Sequence, residues 1–201
     1  MAQYKPHDHF FKKARRQGYR SRAAYKLLEL NKRYRLIKRG GRVVDLGCSP
    51  GGFMQVALEA AGERGRVVGI DINPMQPIAH PAAVFIQADV ASGGLSGRVI
   101  ESLGGRKADC LLSDMAPATS GIADADQFRS LELARHAVAL AEDVLRTGGN
   151  LLVKVFDSEG VATLVSSLRG RYKTVLRRRP SATRKGSREL YIIAIGKLPT
   201  P

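Results

Sequence analysis

The 201-residue chain has few cysteines and histidines and no long apolar run, and each shortage excludes a class of protein. Cys48 follows the first predicted strand and Cys110 begins a later one, so a disulfide is excluded and free thiols are expected. The four histidines have no companion at metal-ligand spacing, which argues against a metal site. No apolar segment approaches membrane-spanning length, and no signal-peptide pattern is present. We therefore expect a cytoplasmic globular protein with no metal and no membrane association.

Acidic residues are scarce at both ends of the chain. Residues 1–42 contain 14 Lys or Arg against 2 acids, residues 43–168 contain 9 against 15, and residues 169–201 contain 10 against 1. The three net charges are +12, −6 and +9, within a total of +15. Solvated surface charge would mix acids with bases, but no acid lies between Gly160 and Arg188. Basic flanks around an acidic middle favour a nucleic acid partner.

The first basic flank also contains aromatic residues, at Tyr4, Phe10, Phe11 and Tyr19. Aromatic residues among basic ones are typical of segments that stack on bases, although side chains that pack into a core give the same pattern. Ser21 is predicted to cap a helix over residues 23–34, which carries Lys26.

Residues 43–53, VVDLGCSPGGF, are an apolar run that leads through an acid into a glycine-rich loop. Val43, Val44 and Leu46 suit a strand that is covered on both faces. The glycines of the loop allow a sharp bend and let a ligand lie against bare backbone. The helix predicted over residues 53–61 points its unpaired N–H groups back at this loop. The segment therefore predicts a cofactor site made largely of backbone.

The spacing of glycines and acids separates two classes of cofactor. Gly47, Gly51 and Gly52 give G-x-x-x-G-G instead of the G-x-G-x-x-G of dinucleotide-binding folds. Acids also follow the first three predicted strands, at Asp45, Asp71 and Asp89. One such acid often only caps a helix, but three in register line one edge of a sheet. This edge suits the ribose hydroxyls, adenine amine and positive centre of S-adenosylmethionine better than a pyrophosphate.

Strands and helices alternate along the chain, which predicts an α/β fold with a doubly wound, mostly parallel sheet. The seven predicted strands cover residues 43–46, 67–70, 84–86, 109–113, 151–153, 172–176 and 189–195. Only an irregular loop with Pro180 and Gly186 joins the last two strands, so the last strand should run antiparallel. Its first residue, Glu189, would then lie at the edge where Asp114 and Lys154 end their own strands. Three charged groups are predicted to converge there.

With these features in place, the chain resembles the FtsJ-type methyltransferases, which transfer a methyl group from S-adenosylmethionine to a ribose 2′-hydroxyl of large-subunit ribosomal RNA. The resemblance covers nearly the whole chain and rests on five blocks in the family's order and spacing: GYRSRAAYKLLEL, VVDLGCSPGGF, LLSDMAP, LLVKVF and SRELYIIA. It implies a Rossmann-like class I methyltransferase fold in one domain of residues 1–201, with residues 1–42 as a basic RNA-binding extension and helix. The family usually has tryptophan where Phe53 stands.

The resemblance also implies the site residues. The family's Lys-Asp-Lys-Glu tetrad corresponds to Lys26, Asp114, Lys154 and Glu189, and its cofactor contacts correspond to Gly51, Phe53, Asp71, Asp89 and Asp114. A 2′-hydroxyl is a weak nucleophile that must lose its proton as it attacks, so a positioned base is needed. Lys154 is the predicted proton acceptor. In a weaker version, Lys154 stays charged and only orients the hydroxyl oxygen.

The substrate implied by the resemblance is a uridine in the A loop of 23S RNA, on the assembled large ribosomal subunit. Phosphate contacts are predicted from basic residues of both flanks, namely Arg20, Arg22, Arg177, Arg178 and Arg179. Two alternatives on the same fold are a 2′-O-methyltransferase of transfer RNA and a non-catalytic RNA-binding assembly factor. A nicotinamide dehydrogenase is a third alternative, but the glycine spacing argues against it. We expect a monomer with no obligate protein partner.

Overall fold

The computed structural model describes residues 9–184 and 186–199. Tyr4, one of the aromatic residues predicted to lie among basic ones, is outside this range. Within the range, no helix is both long enough and apolar enough to cross a membrane. Cys48 and Cys110 are buried free thiols.

Helices separate most of the strands, as predicted for an α/β fold. The strands of the described residues are β1 (Arg42–Leu46), β2 (Arg66–Asp71), β3 (Ala83–Gln87), β4 (Ala108–Ser113), β5 (Leu145–Phe156), β6 (Tyr172–Arg178) and β7 (Glu189–Lys197). The helices are α1 (His9–Arg16), α2 (Ala24–Tyr34), α3 (Gly52–Ala61), α4 (Leu95–Ser102), α5 (Ala123–Val144) and α6 (Gly160–Arg169).

The strands form one sheet in the order β3-β2-β1-β4-β5-β7-β6. β7 is antiparallel to both of its neighbours, and the other pairs are parallel, which confirms the predicted antiparallel last strand. β1 and β4 lie side by side at the centre of the sheet. β2 and β3, which follow β1, lie on one side of this pair, and β5, β6 and β7, which follow β4, lie on the other. In doubly wound sheets, ligands bind beyond the carboxyl ends of the strands at such a switch point.

Helices cover the sheet on both faces. α4, α5 and α6 pack on one face against residues such as Leu111 and Val153, and α2 and α3 pack on the other against Leu112 and Leu152. The central strands are buried on both sides, which explains their continuous apolar runs. A smaller cluster around Tyr25 joins α1, α2 and the loop between β6 and β7. This cluster connects the first two helices to the loop between β6 and β7.

Two local predictions are wrong. Ser21 does not cap α2, which has Ala23 at its N-cap position and no side-chain cap, because the Ser21 side chain packs against Gly52 of α3. Lys154 does not end its strand, because β7 pairs with β5 for two residues more, up to Phe156 opposite Glu189. The longer pairing places Lys154 inside the sheet, directly opposite Tyr191.

Candidate active site

A cavity of about 370 Å³ opens beyond the carboxyl ends of β1, β2, β3 and β4. Its walls come from the loop after β1, the ends of β2 and β3, and the segment after β4. Its volume falls in the range of small-molecule sites. The cavity lies beside the switch point between β1 and β4, where the topology places a ligand.

The glycine-rich loop packs backbone against backbone on its neighbours. Gly47 has a φ of 73°, and a Cβ at this position would come within 2.8 Å of the Met115 Cα. The Gly47 N–H donates to the Ile70 carbonyl at 2.9 Å, and the Asp114 N–H donates to the Leu46 carbonyl at 3.1 Å. Only glycine fits this close approach without strain. The approach brings Asp114 to the edge of the cavity.

Three of the residues predicted to contact a cofactor, Asp71, Asp89 and Asp114, line the cavity. The loops around Asp71 hold its carboxylate in place, because it accepts hydrogen bonds from the backbone N–H groups of Ser49 and Asn73, each at 2.9 Å. In the part of the chain that the structure describes, no three His, Cys, Asp or Glu side chains are grouped to bind a metal ion.

The other two predicted cofactor residues, Gly51 and Phe53, are not among the residues that line the cavity. Phe53 is buried in α3 and stacks on Tyr191, with ring centroids 6.5 Å apart. Gly51 has a φ of 115° and lies beside Arg20, whose Cδ would be 3.0 Å from a Cβ at this position. Gly51 and Phe53 therefore lie outside the cavity, where they pack against Arg20 and Tyr191 respectively.

Asp45 does not join the acids at the sheet edge, contrary to the prediction. It is fully buried inside β1, and neither of its carboxyl oxygens has a hydrogen-bond partner among the described residues. Burial raises the pKa of Asp45 well above its ordinary value, and the charges of Asp114 and Asp71 add to this effect. The fold therefore favours the protonated form of this side chain.

The predicted tetrad forms two ion pairs in the structure. Lys154 Nζ lies 3.0 Å from Asp114 Oδ1 and donates to the Asp114 backbone carbonyl at 2.6 Å. Lys26 Nζ, from α2, lies 2.8 Å from Glu189 Oε2 at the start of β7. Both lysines are buried, with exposures of 5% for Lys154 and 7% for Lys26. The alternation along β5 turns Lys154 toward the sheet face that α2 covers, which is why two distant segments meet here.

Tyr191 links the two ion pairs, and it is not among the site residues predicted from the sequence. It is fully buried, and its hydroxyl donates to Asp114 Oδ1 at 2.5 Å. Lys26 Nζ lies 5.8 Å from the centroid of its ring. Tyr191 follows Glu189 by two residues in β7, so the two side chains project from the same face of the strand. That spacing is the sequence signal that identifies it.

The protonation states of Asp114 and Tyr191 are complementary. Burial would raise the pKa of Asp114, but the charges of Lys154 and Lys26 and the hydrogen bonds from Tyr191 and Lys154 outweigh it and lower the pKa. Burial, followed by the charge of Asp114, raises the pKa of Tyr191 well above its ordinary value. Asp114 therefore stays ionised as an acceptor, and Tyr191 stays protonated as a donor.

A second cavity, of about 500 Å³, is lined by Lys26 and Glu189. Its other walls include Arg22 from the N-terminal segment and Arg184 from the loop between β6 and β7. Asp114 lines the first cavity, so the tetrad extends from one cavity to the other. The walls of the second cavity therefore carry three basic side chains, those of Arg22, Lys26 and Arg184.

Hydrogen bonds join α2 and the segment before it to the loop between β6 and β7, beside this second cavity. Arg22 donates to the Ala182 carbonyl, and the N–H and hydroxyl of Ser181 donate to Glu29 at 2.8 Å and 2.5 Å. Ala182 is itself buried against α1 and α2. The described parts of the two basic flanks are therefore bonded together beside the second cavity, although they are far apart in the sequence.

Known relatives resemble the chain over most of its length. The model of the FtsJ-like methyltransferase family matches residues 19–197. A protein of Marinobacter nauticus named ribosomal RNA large subunit methyltransferase E is 45% identical over 189 residues, which are 94% of this chain and 90% of that protein. The protein of the same name in Methanobrevibacter smithii is 39% identical over 191 residues, 95% of this chain and 90% of that protein.

Solved structures share the fold. A crystal structure from Plasmodium falciparum, provisionally assigned as a ribosomal RNA methyltransferase, superimposes with a TM-score of 0.81 at 31% identity, covering 90% of this chain and 100% of that one. Aeropyrum pernix fibrillarin, solved with bound S-adenosyl-L-methionine, has a TM-score of 0.59 at 20% identity, covering 88% of this chain and 75% of that one, and shows the fold alone. The family match and the identities establish that the chain belongs to the FtsJ-like methyltransferase family.

Proposed function

We propose that this protein transfers a methyl group from S-adenosylmethionine to the 2′-hydroxyl of a uridine ribose in the A loop of 23S ribosomal RNA, within the large ribosomal subunit. The names of its relatives support a large-subunit RNA substrate. The observation that carries the proposal is the position of the tetrad, which extends from the acidic cavity to the basic one. A cytoplasmic location follows from this substrate.

The first cavity fits the methyl donor. Asp71, at the carboxyl end of β2, offers carboxylate oxygens to ribose hydroxyls, and Asp89 offers an acceptor to the adenine amine. The side chain of Ile72, which is 63% exposed beside the cavity, provides an apolar surface for the adenine ring. We propose Gly51 and Phe53 as supports of this site, through the loop and through the stacked Tyr191. Acids also favour the positive charge of the donor's sulfur.

S-adenosylmethionine supplies a methyl group on a positively charged sulfur, which departs as a neutral thioether. When bound, the donor would offer its methyl carbon to the hydroxyl oxygen, and the carbon–sulfur bond would break with its electron pair going to sulfur. The hydroxyl proton goes to Lys154 Nζ. Asp114 holds Lys154 through its carboxylate and its carbonyl, and Tyr191 fixes the position of that carboxylate.

The contacts of Lys154 hold its amine in place. Lys154 forms an ion pair with Asp114, so its ammonium must release a proton before it can act as a base. The neutral amine then has two N–H donors and one lone pair, and the two oxygens of Asp114 within 3.0 Å occupy both donors. The lone pair is left for the substrate hydroxyl. Lys26 and Glu189 hold each other at the second cavity, where we propose that they position the ribose. A charged Lys154 would instead donate a third hydrogen bond and only orient the oxygen.

The joined basic ends suit a folded RNA. Phosphate contacts position an RNA without reading its sequence. We propose that residues 1–201 act as one domain and as a monomer, with residues 1–42 as the RNA-binding extension. Specificity then comes partly from the shape of the RNA in the assembled subunit.

The test offers isotope-labelled S-adenosylmethionine with three RNAs: large subunits from cells that lack this enzyme, naked 23S RNA and transfer RNA. The proposal predicts one new 2′-O-methyluridine in the subunits and slower transfer to naked 23S RNA. Efficient modification of transfer RNA alone would leave the reaction right and the substrate wrong. Binding of RNA without methyl transfer to any of the three would identify a non-catalytic assembly factor.

A further inference from the structure

Arg20 makes a set of contacts that the predicted phosphate-binding role does not explain. Its guanidinium donates to three backbone carbonyls: those of Pro50 at 3.3 Å, Gln76, and Pro77 at 2.7 Å. Pro50 belongs to the glycine-rich loop after β1, and Gln76 and Pro77 belong to the segment between β2 and β3. One side chain therefore ties together two loops that lie far apart in the sequence.

The same two loops form walls of the cavity proposed for the methyl donor. The loop after β1 contributes Gly47 and Ser49, and the segment after β2 contributes Ile72 and Asn73. The aliphatic part of Arg20 covers Gly51 between them, since its Cδ would be 3.0 Å from a Cβ there. Arg20 thus holds the cavity walls together from outside the cavity.

The segment that carries Arg20 is itself fastened to α3. The Arg20 N–H donates to the Gln55 side-chain carbonyl at 2.8 Å, and the Gln55 amide donates back to the Gly18 carbonyl at 2.9 Å. The Tyr19 hydroxyl donates to Glu59 at 2.8 Å. These bonds fix the backbone from which Arg20 reaches the two loops.

The same segment also leads directly into the RNA-facing surface. Arg22 lines the second cavity together with Lys26, and it donates to the Ala182 carbonyl of the other basic end. Two residues of one short segment therefore contact two different sites. Arg20 bonds to the loops after β1 and β2, and Arg22 lines the second cavity.

We propose that Arg20 is a positioning residue that couples the two sites, so that the methyl donor and RNA each bind more tightly when the other is bound. The inference rests on the proposed function for its two ligands. Coupling free energies of this kind change an affinity by about 5- to 150-fold, and the effect is reciprocal. Arg20 acts through the loops after β1 and β2 and touches neither the methyl group nor the ribose.

The test compares the wild type with Arg20→Ala and Arg20→Lys. Dissociation constants for S-adenosylhomocysteine, the demethylated product, are measured by equilibrium dialysis with and without unmethylated large subunits. The proposal predicts that RNA tightens binding to the wild type at least about fivefold and leaves both variants unchanged. We expect that Arg20→Lys does not restore the coupling, because a single ammonium group cannot reproduce the planar guanidinium that donates to three carbonyls.

The salt dependence of RNA affinity separates this role from a phosphate contact. Loss of a phosphate contact reduces the slope of log affinity against log salt by roughly 0.7 to 0.9. We expect an unchanged slope in Arg20→Ala, which removes the charge, and as the opposite case a reduced slope with unchanged cofactor affinity in Arg178→Ala. Arg178 bonds to the Tyr34 hydroxyl, away from the donor loops. Rescue by Arg20→Lys with normal coupling would overturn the proposal in favour of the phosphate contact.

A second variant covers the outcome in which Arg20→Ala unfolds. Gln55→Ala keeps the guanidinium but removes its backbone anchor, and it should lose part of the coupling while the thermal transition shows a folded protein. Normal coupling in Gln55→Ala and Arg20→Lys would contradict the inference and leave the proposed function intact. Failure of the wild type to bind S-adenosylhomocysteine would instead contradict the proposed function.

Discussion

Lys154 and Tyr191 face each other in register across β5 and β7, and both reach the same oxygen of Asp114. Lys154 Nζ lies 3.0 Å and the Tyr191 hydroxyl 2.5 Å from Asp114 Oδ1. Opposed residues of an antiparallel pair project from the same face, so two buried strands hold both groups without help from a loop. The amine and the hydroxyl that contact Asp114 are therefore both held by paired strands of the sheet.

The hydroxyl of Tyr191 should matter for catalysis more than for binding. Tyr191→Phe keeps the ring that stacks on Phe53 but leaves Asp114 with one donor fewer. A hydrogen bond to a charged group contributes about 1.5 to 3 kcal/mol, so we expect single-turnover methyl transfer to fall roughly 10- to 100-fold. Affinity for S-adenosylmethionine, measured by calorimetry, should stay within about twofold of the wild type.

Tyr172→Phe is the matched control. Tyr172 is buried in the sheet, and its hydroxyl has no hydrogen-bond partner among the described residues. Its loss should leave the rate of methyl transfer unchanged. Equal rates in the wild type and in Tyr191→Phe would show that the bond to Asp114 plays no part in the reaction.

Asp71 should determine affinity for the methyl donor. Asp71→Ala removes the acceptor offered to the ribose hydroxyls and frees the Ser49 N–H, so the dissociation constant should rise at least about tenfold. Asp109→Ala, at the opposite end of the sheet, removes bonds to Arg42 and Arg146 instead and should lower stability without changing cofactor affinity. Calorimetry on both variants checks this, and equal affinities in Asp71→Ala and the wild type would remove Asp71 from the site.

The basic surface should bind RNA through phosphates. Affinity for unmethylated large-subunit RNA should fall steeply with salt, and Arg178→Ala should reduce the slope of log affinity against log salt by roughly 0.7 to 0.9. Arg98, exposed on α4 across the sheet from α2, offers a control whose removal should leave the slope unchanged. Filter-binding titrations between low and moderate salt measure the slopes. An affinity that does not depend on salt would contradict the electrostatic account.

Asp45 should make the cofactor-free protein less stable as the pH rises. Its pKa is raised in the folded state, chiefly by burial, so the folded state holds its proton more tightly than the unfolded state does. Folding stability from this group is therefore lost as the pH rises from about 4, the ordinary value for aspartic acid, to the raised pKa. An asparagine at position 45 does not titrate. The free energy of unfolding of Asp45→Asn, relative to that of the wild type, should therefore increase with pH across this window.

Urea unfolding at several pH values measures this difference. Asp109→Asn is the control with the opposite sign, because hydrogen bonds and the charge of Arg146 overcome the effect of burial and lower the pKa of Asp109. Its contribution is present above the unfolded pKa of about 4 and is lost only below it, so no trend is expected between about pH 5 and pH 8. A constant difference between Asp45→Asn and the wild type over the same range would mean that Asp45 does not titrate anomalously.

Local patterns predicted most of the elements and the edge of the sheet where the site lies. Apolar runs and glycines located the strands, and the short irregular loop before β7 predicted its antiparallel direction, which the pairing confirms. The prediction that Asp114 follows the fourth strand and that Glu189 begins the last one is also confirmed. These features depend on residues that are close in the sequence, so the sequence alone is sufficient for them.

The features that the sequence did not predict depend on register and on packing between distant segments. Lys154 lies inside β5 because β7 extends the pairing beyond it, and the same register brings Tyr191 to Asp114. Asp45 is buried in β1 although it has the pattern of an edge acid. Arg20 has the appearance of a phosphate-binding residue, and only the folded chain shows the carbonyls that it holds.

The proposed function is tested most directly by measuring methyl transfer to unmethylated large subunits by the wild type and by Lys154→Ala, with 2′-O-methyl groups mapped afterwards. A catalytic Lys154 predicts a single methylated uridine for the wild type and an initial rate roughly 10² to 10⁴ lower for the variant, at unchanged affinity for S-adenosylmethionine. A near-normal rate in Lys154→Ala, or methyl groups found on bases and not on a ribose, would contradict it.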